Sequence, residues 1–351
     1  MTRILILKTG ALGDVLRTTS VLPGLHARYP GADVTWVTAP AAWPLVGRHP
    51  LVREVRCVDP RDADAVAALA GPLGGVVWDR LFSLDDEEPL CALASALEAR
   101  EVSGAYLCAD GTRAYTRDVA PWFDMGLLSV HGKARADELK IENQRSHPAL
   151  FAQMLGVEPG RPELPLPDAE LAFAAEFAAR TGLRERGRVV GLNTGAGGRW
   201  QTKEMPLDEV LELARELHAA CDGEVTFLVL GGPDEAPRNA RILAGLAALA
   251  PPVAAIDART DNGLERFAAL IGLCDLLVVS DSLALHVALA RRVPVVAFFA
   301  PTSAAEIELY GAGEKVLSTA PDYCSYRRDA DNSSITAARV GAAARRVLGL
   351  D

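Results

Sequence analysis

The chain has 351 residues, half of them hydrophobic and 23% charged, with a formal net charge of −10. That composition belongs to folded proteins rather than disordered ones, and the length suits two domains of similar size. The acidic balance gives the molecule as a whole no pull toward nucleic acid or an anionic membrane, so no nucleic-acid partner is expected and membrane contact is at most peripheral. The six cysteines are scattered, with no C-x-x-C pair and none at zinc-ligand spacing, which points to reduced thiols in a cytoplasmic protein with neither disulfides nor structural metal.

The opening Met-Thr-Arg-Ile-Leu-Ile-Leu-Lys breaks its apolar run after four residues at Lys8, which reads as a strand over residues 4–7 and not as a signal peptide. A glycine loop and the helical pattern Val15, Leu16, Val21, Leu22, Leu25 follow. Further strands are expected at residues 34–38, 52–58 and 75–83, with helices at 62–69 and 89–100. Alternation of this kind implies a parallel sheet. Residues 157–167 hold four prolines in eleven positions, which favours an extended connection and places the domain boundary there.

After a helix at residues 168–181 the plan repeats, with strands expected at 188–193, 224–230, 253–256, 276–280 and 293–299. Helices are expected at 207–220, 237–248, 264–271 and 284–290. The domains are thus residues 1–160 and 161–335, with a terminal helix at 336–351 that in two-lobed α/β enzymes can cross back onto the first lobe. No apolar run approaches the ~20 residues of a membrane-spanning helix.

In parallel α/β sheets, ligands sit beyond the carboxyl ends of the strands, where loops turn into helix N-termini. Four loops occupy such positions. The first carries Gly10, Gly13 and Asp14 and fits neither the Walker nor the G-x-G-x-x-G pattern; it reads equally as an N-cap aspartate after a tight turn or as a ligand loop. The second, Thr194-Gly-Ala-Gly-Gly-Arg-Trp-Gln-Thr-Lys203, joins three glycines to Arg199 and Lys203, and we read it as a phosphate cradle rather than a solvated turn.

The third, Gly231-Gly-Pro-Asp-Glu235, offers a carboxylate for ribose hydroxyls or plain compensation of a helix dipole, and both readings stand. In the fourth, Asp281 and Ser282 are placed to cap a helix whose amides face an anion. A lone histidine on a helix is usually packed, but the company of Asp281 favours ligand contact for His286. Asp85-Asp-Glu-Glu88 is read as a solvated helix start in preference to an acceptor contact.

Together these loops resemble glycosyltransferase family 9, the ADP-heptose-dependent heptosyltransferases, over nearly the whole chain. The segments that carry the resemblance are Ile4-Leu-Ile-Leu-Lys-Thr-Gly-Ala-Leu-Gly-Asp-Val-Leu16, the loop from Thr194 to Pro206, and Asp281-Ser-Leu-Ala-Leu-His286 with Pro294-Val-Val-Ala-Phe-Phe-Ala-Pro-Thr302. The resemblance implies a GT-B fold of two facing Rossmann-like, doubly wound domains with parallel sheets, the acceptor held by the first and the nucleotide-sugar by the second. It implies inverting transfer without a metal or other cofactor, with Asp14 as general base and Lys203 stabilising the departing diphosphate. The donor would be ADP-heptose or a related nucleotide-sugar, and the acceptor a glycan, a lipid-linked sugar or a small molecule.

By the same resemblance, Thr194, Gly197, Gly198 and Arg199 form the donor loop, and Ser282 and Leu283 lie by the diphosphate. Asp281 and His286 lie by the sugar or phosphates, Glu235 by the ribose, and Asn262 and Leu264 by adenine. Thr9, Gly10 and Gly13 form an acceptor or diphosphate loop. The sequence departs from the family pattern at Leu283 and Ala300, each in place of a usual glycine, and Cys324 is the one cysteine left where many members have a pair. Two other readings remain open, a GT-B enzyme of another reaction type such as an epimerase and a non-catalytic nucleotide-sugar binding protein.

Overall fold

A computed structural model gives the structure of the protein and describes residues 1–197 and 200–351. The chain divides into two compact units, Met1–Pro165 and Leu166–Asp351. Among the described residues, no helix is long and apolar enough to cross a membrane.

The first unit is built on strands β1 (Arg3–Leu7), β2 (Asp33–Thr38), β3 (Glu54–Cys57), β4 (Arg80–Ser83), β5 (Val102–Leu107) and β6 (Arg113–Tyr115). They lie in the order β3-β2-β1-β4-β5-β6 and pair in parallel, except that β6 runs antiparallel to β5. Ile4, Leu5, Ile6 and Leu7 are fully buried, as expected of a central parallel strand covered on both faces.

The second unit holds β7 (Arg188–Asn193), β8 (Val225–Val229), β9 (Ala255–Asp257), β10 (Leu276–Ser280), β11 (Val295–Phe299) and β12 (Gly313–Leu317), ordered β12-β11-β10-β7-β8-β9 and parallel throughout. Its core joins these strands to helices Leu207–Ala220 and Ala236–Ala248 through Leu213, Leu217, Ile242 and Leu246. The terminal helix Ala337–Leu348 adds Val340, Ala344 and Leu348 to the same core, and its Ala337 amide donates to the Glu209 carboxylate at 2.6 Å.

Counted from its own first strand, each sheet runs 3-2-1-4-5-6, the doubly wound order that reverses direction between the first and fourth strands. The reversal falls between β1 and β4 in one unit and between β7 and β10 in the other. Loops leaving the carboxyl ends of those strands are therefore where ligands would be held.

Three strands lie where the sequence pattern predicts none. β5 contains Ser103 and Gly104, β6 is three residues long, and β12 reads Gly-Glu-Lys-Val-Leu at a sheet edge, so none shows the apolar run of a buried strand. Conversely, the strand expected over residues 75–83 shrinks to Arg80–Ser83, because Ala70–Gly74 is helical and a turn precedes the strand.

Gly104 adopts φ +131°, and a Cβ there would lie 1.9 Å from the Ser83 carbonyl oxygen. Gly104→Ala should therefore destabilise the protein by about 3 kcal/mol, since neither the dihedral nor the close approach suits an L side chain. Urea denaturation measures the loss; a midpoint equal to wild type would show that β5 relaxes away from β4 without penalty.

Candidate active site

In the first unit, the loop after β1 is organised by a carboxylate from the loop after β4. Leu84 donates its amide to Leu7 at 2.9 Å, so the β1–β4 ladder continues one residue and brings Asp85 beside Lys8 and Thr9. The Asp85 carboxylate, 8% exposed, accepts from the Lys8 ammonium, the Thr9 amide, the Thr9 hydroxyl at 2.8 Å and the Gly10 amide at 3.3 Å. Burial pulls the Lys8 ammonium down, but Asp85 and then Asp14 outweigh it and hold the group above its ordinary value. The solvated reading of this acidic run is thus wrong for Asp85: a carboxylate taking this many donors is stable inside.

Helix Leu12–Thr18 follows, capped at Ala11 with no side-chain bond, and Asp14 stands in its first turn. The N-cap reading of Asp14 is therefore incorrect. Asp14 pairs with Arg17 at 2.9 Å with its side chain still 34% exposed, while the Arg17 guanidinium lies 5.4 Å over the Trp122 ring. Gly10 has open space where a Cβ would stand, and Gly13 is inside the helix.

In the second unit, the loop after β7 is held by the loop after β8. The two carboxylate oxygens of Glu235 accept from the Gly197 amide and, at 2.7 Å, from the Gly232 amide. Gly195 packs so tightly on this side chain that a Cβ would sit 2.5 Å from Glu235 Cγ. Arg238 completes the brace, its guanidinium donating to the Met205 carbonyl, to Thr194 Oγ1 at 3.3 Å and to Glu204 at 3.2 Å. Burial pushes the Glu204 carboxyl up against the opposing pull of Arg238. Gly198 and Arg199 lie outside the described residues.

Lys203, ending the short turn Gln201–Lys203, reaches the loop after β10, where its ammonium donates to the Asp281 carboxylate at 2.9 Å and to the Asp281 carbonyl at 3.0 Å. Ser280 hydrogen-bonds the Gly195 carbonyl at 2.5 Å, tying the same two loops together. Helix Leu283–Ala290 begins here with Ser282 at the N-cap position, but neither Ser282 nor Asp281 caps it as the sequence suggests: Ser282 Oγ makes no bond to the helix amides, and Asp281 is held by Lys203. Leu283 is the first helical residue, and His286 is 8% exposed one turn later. Asn262 donates to the Ala258 carbonyl at 2.7 Å and to Arg259 at 3.2 Å, shaping the turn that leads into helix Leu264–Ile271.

The structure thus brings Lys203, Asp281, Thr194, Gly197 and Glu235 into one cluster, and Thr9, Gly10 and Asp14 into another with Lys8 and Asp85. Sequence reasoning missed Asp85 and Arg238. The strand order supplies the signal for Asp85, because in a 3-2-1-4 sheet the residue just past β4 must face the loop after β1. Nothing in the sequence singles out Arg238.

Burial opposes ionisation of Asp281, but the Lys203 ammonium, aided by His286, holds its carboxyl down at about 2 from an ordinary 3.8. A carboxyl depressed on folding stabilises the protein above its unfolded pKa, and that contribution disappears as pH falls through the folded value. Between about pH 4 and pH 2 the wild type should therefore lose on the order of 2 kcal/mol that Asp281→Asn does not lose. Denaturant melts across that range compare the two; parallel curves would contradict the pairing.

Two doubly wound units, each with a polar loop cluster at its switch point, match the GT-B fold. A family model described as glycosyltransferase family 9 (heptosyltransferase) matches residues 111–335, and the chain belongs to this family and is a glycosyltransferase. Solved structures share the fold over nearly the full length. The glycosyl transferase family 9 protein from Veillonella parvula DSM 2008 is 21% identical with a TM-score of 0.79, covering 100% of this chain and 98% of its own. The E. coli ADP-heptose lps heptosyltransferase II is 20% identical with a TM-score of 0.66, over 99% and 98%. E. coli heptosyltransferase WaaC with ADP-2-deoxy-2-fluoro heptose is 20% identical with a TM-score of 0.60, over 98% and 99%. No curated protein matches the chain.

Proposed function

We propose that the protein transfers a heptose, or a closely related sugar, from an ADP-sugar to an acceptor hydroxyl with inversion at the anomeric carbon. The observation that carries this reading is the Lys203–Asp281 pair at the β7/β10 switch point, where an ammonium 18% exposed stands beside the start of a helix. A diphosphate leaving group develops negative charge, and a preorganised ammonium together with helix-terminal amides favours that charge. Lys203 takes the part that a divalent cation plays in other nucleotide-sugar enzymes, so no metal enters the reading. The E. coli structure with an ADP-fluoroheptose supports the choice of donor by kinship of fold and family.

The acceptor hydroxyl is a poor nucleophile at neutral pH and needs a base. Asp14 is our candidate, with a partly exposed carboxylate in the first turn of the helix that follows β1. Glu235, Thr194, Gly197, Gly198 and Arg199 would line the donor loop, Ser282, Leu283 and His286 the phosphates and sugar, and Asn262 and Leu264 the base. A heptose-free lipopolysaccharide core is the acceptor to test first, and cytoplasmic location fits a nucleotide-sugar donor.

The experiment is ADP release from ADP-heptose with that core as acceptor. Asp14→Asn should lower kcat by roughly 10²–10⁴-fold while ADP affinity stays within about threefold. Lys203→Ala should lower kcat/KM by about 10²-fold or more and also weaken ADP binding. Absence of both ADP binding and ADP release in the wild type would overturn the donor assignment, and full turnover by Asp14→Asn would overturn the base.

A further inference from the structure

We propose that Asp85 is a positioning residue that aims the general base: it fixes the Thr9–Gly10 backbone from which the helix bearing Asp14 departs, and it does not itself contact the acceptor. This inference rests on the reading of Asp14 as base. Asp85 accepts the Thr9 amide, the Thr9 hydroxyl and the Gly10 amide on Oδ2 and the Lys8 ammonium on Oδ1. Both oxygens are thus engaged inside the chain, three donors on one and the ammonium on the other. The residue is also buried, at 8% exposure, whereas Asp14 keeps a third of its side chain in contact with solvent.

The path from Asp85 to Asp14 is short. Two of the three residues between Lys8 and the helix are held through their amides, and the third, Ala11, supplies the carbonyl that accepts the Val15 amide at 2.9 Å and closes the first turn. From the other side, the Trp36 indole donates to the Lys8 carbonyl at 3.0 Å, and the Lys8 ammonium also donates to the Gly10 carbonyl. The loop is thus fixed from β2 and β4 at once. An asparagine at position 85 would leave the buried ammonium without its counter-ion, and it could keep an acceptor toward the Thr9 and Gly10 amides only by turning its own NH2 on Lys8, so the first helical turn would reorient and Asp14 would lose its aim. Displacements of the order of an ångström are enough to cost about 10²-fold in rate.

The test is a double-mutant cycle on the full chain with Asp14→Asn, Asp85→Asn and the pair, using ADP-heptose and the heptose-free core. Asp85→Asn should lower kcat by roughly tenfold or more, with KM for ADP-heptose and ADP affinity within about threefold, because the donor residues belong to the second unit. The double variant should be no slower than Asp14→Asn, since a residue that acts by aiming the base has nothing left to aim. Thr9→Val, which removes one of the four donors and keeps both carboxylates, should lower kcat by about threefold and show the same non-additivity, so the test survives poor folding of Asp85→Asn. Equal proportional losses from Asp85→Asn with and without Asp14 would overturn the proposal, as would a raised acceptor KM at full kcat. Wild-type turnover by Asp14→Asn would instead sink the reading of the base.

Discussion

The constraint on which both loop clusters depend is the cost of leaving backbone amides without acceptors at the carboxyl end of a parallel sheet. Each unit meets it with one buried carboxylate lent by a neighbouring strand. Asp85, past β4, takes the amides of Thr9 and Gly10, and Glu235, past β8, takes those of Gly197 and Gly232. An unpaired buried amide costs about 1–3 kcal/mol, so each of these carboxylates holds its loop in one shape.

That division leaves a small set of side chains to act. In the first unit the exposed part of the cluster is Asp14, and in the second it is Lys203 with Asp281 and the start of helix Leu283–Ala290. A carboxylate suited to taking a proton and a cation suited to a departing diphosphate are the complementary needs of glycosyl transfer to a hydroxyl. The Lys203–Asp281 pair also keeps the ammonium in place without a ligand, since a half-buried cation would otherwise be costly to hold.

Much of this was legible in the sequence. The buried runs Ile4-Leu-Ile-Leu7, Val189-Val190 and Leu276 to Val279 announce central parallel strands because burial on both faces demands continuous apolar residues. Each opens into a glycine or Asp-Ser segment, so Asp14, Lys203 and Asp281 fall in or just after the loops at the carboxyl ends of the switch-point strands. What stayed hidden depends on contacts between residues far apart in the chain. Asp85 looks like any acidic helix start until β4 is known to lie beside β1, and Arg238 looks like a surface cation until its helix is packed beside Glu204 and Thr194. The edge strand β12 was illegible because half its surface is open and its residues are chosen accordingly.

The central claim, that the second unit grips the donor phosphates while Asp14 serves the acceptor, is tested most directly by a crystal structure with ADP-2-deoxy-2-fluoro heptose bound. The account predicts the diphosphate against Lys203 and the first amides of helix Leu283–Ala290 and adenine beside Asn262 and Leu264, with the Thr9–Gly13 loop left clear of the donor. A diphosphate seated on the Thr9–Gly13 loop, with Lys203 still locked to Asp281 and no contact to the ligand, would contradict it.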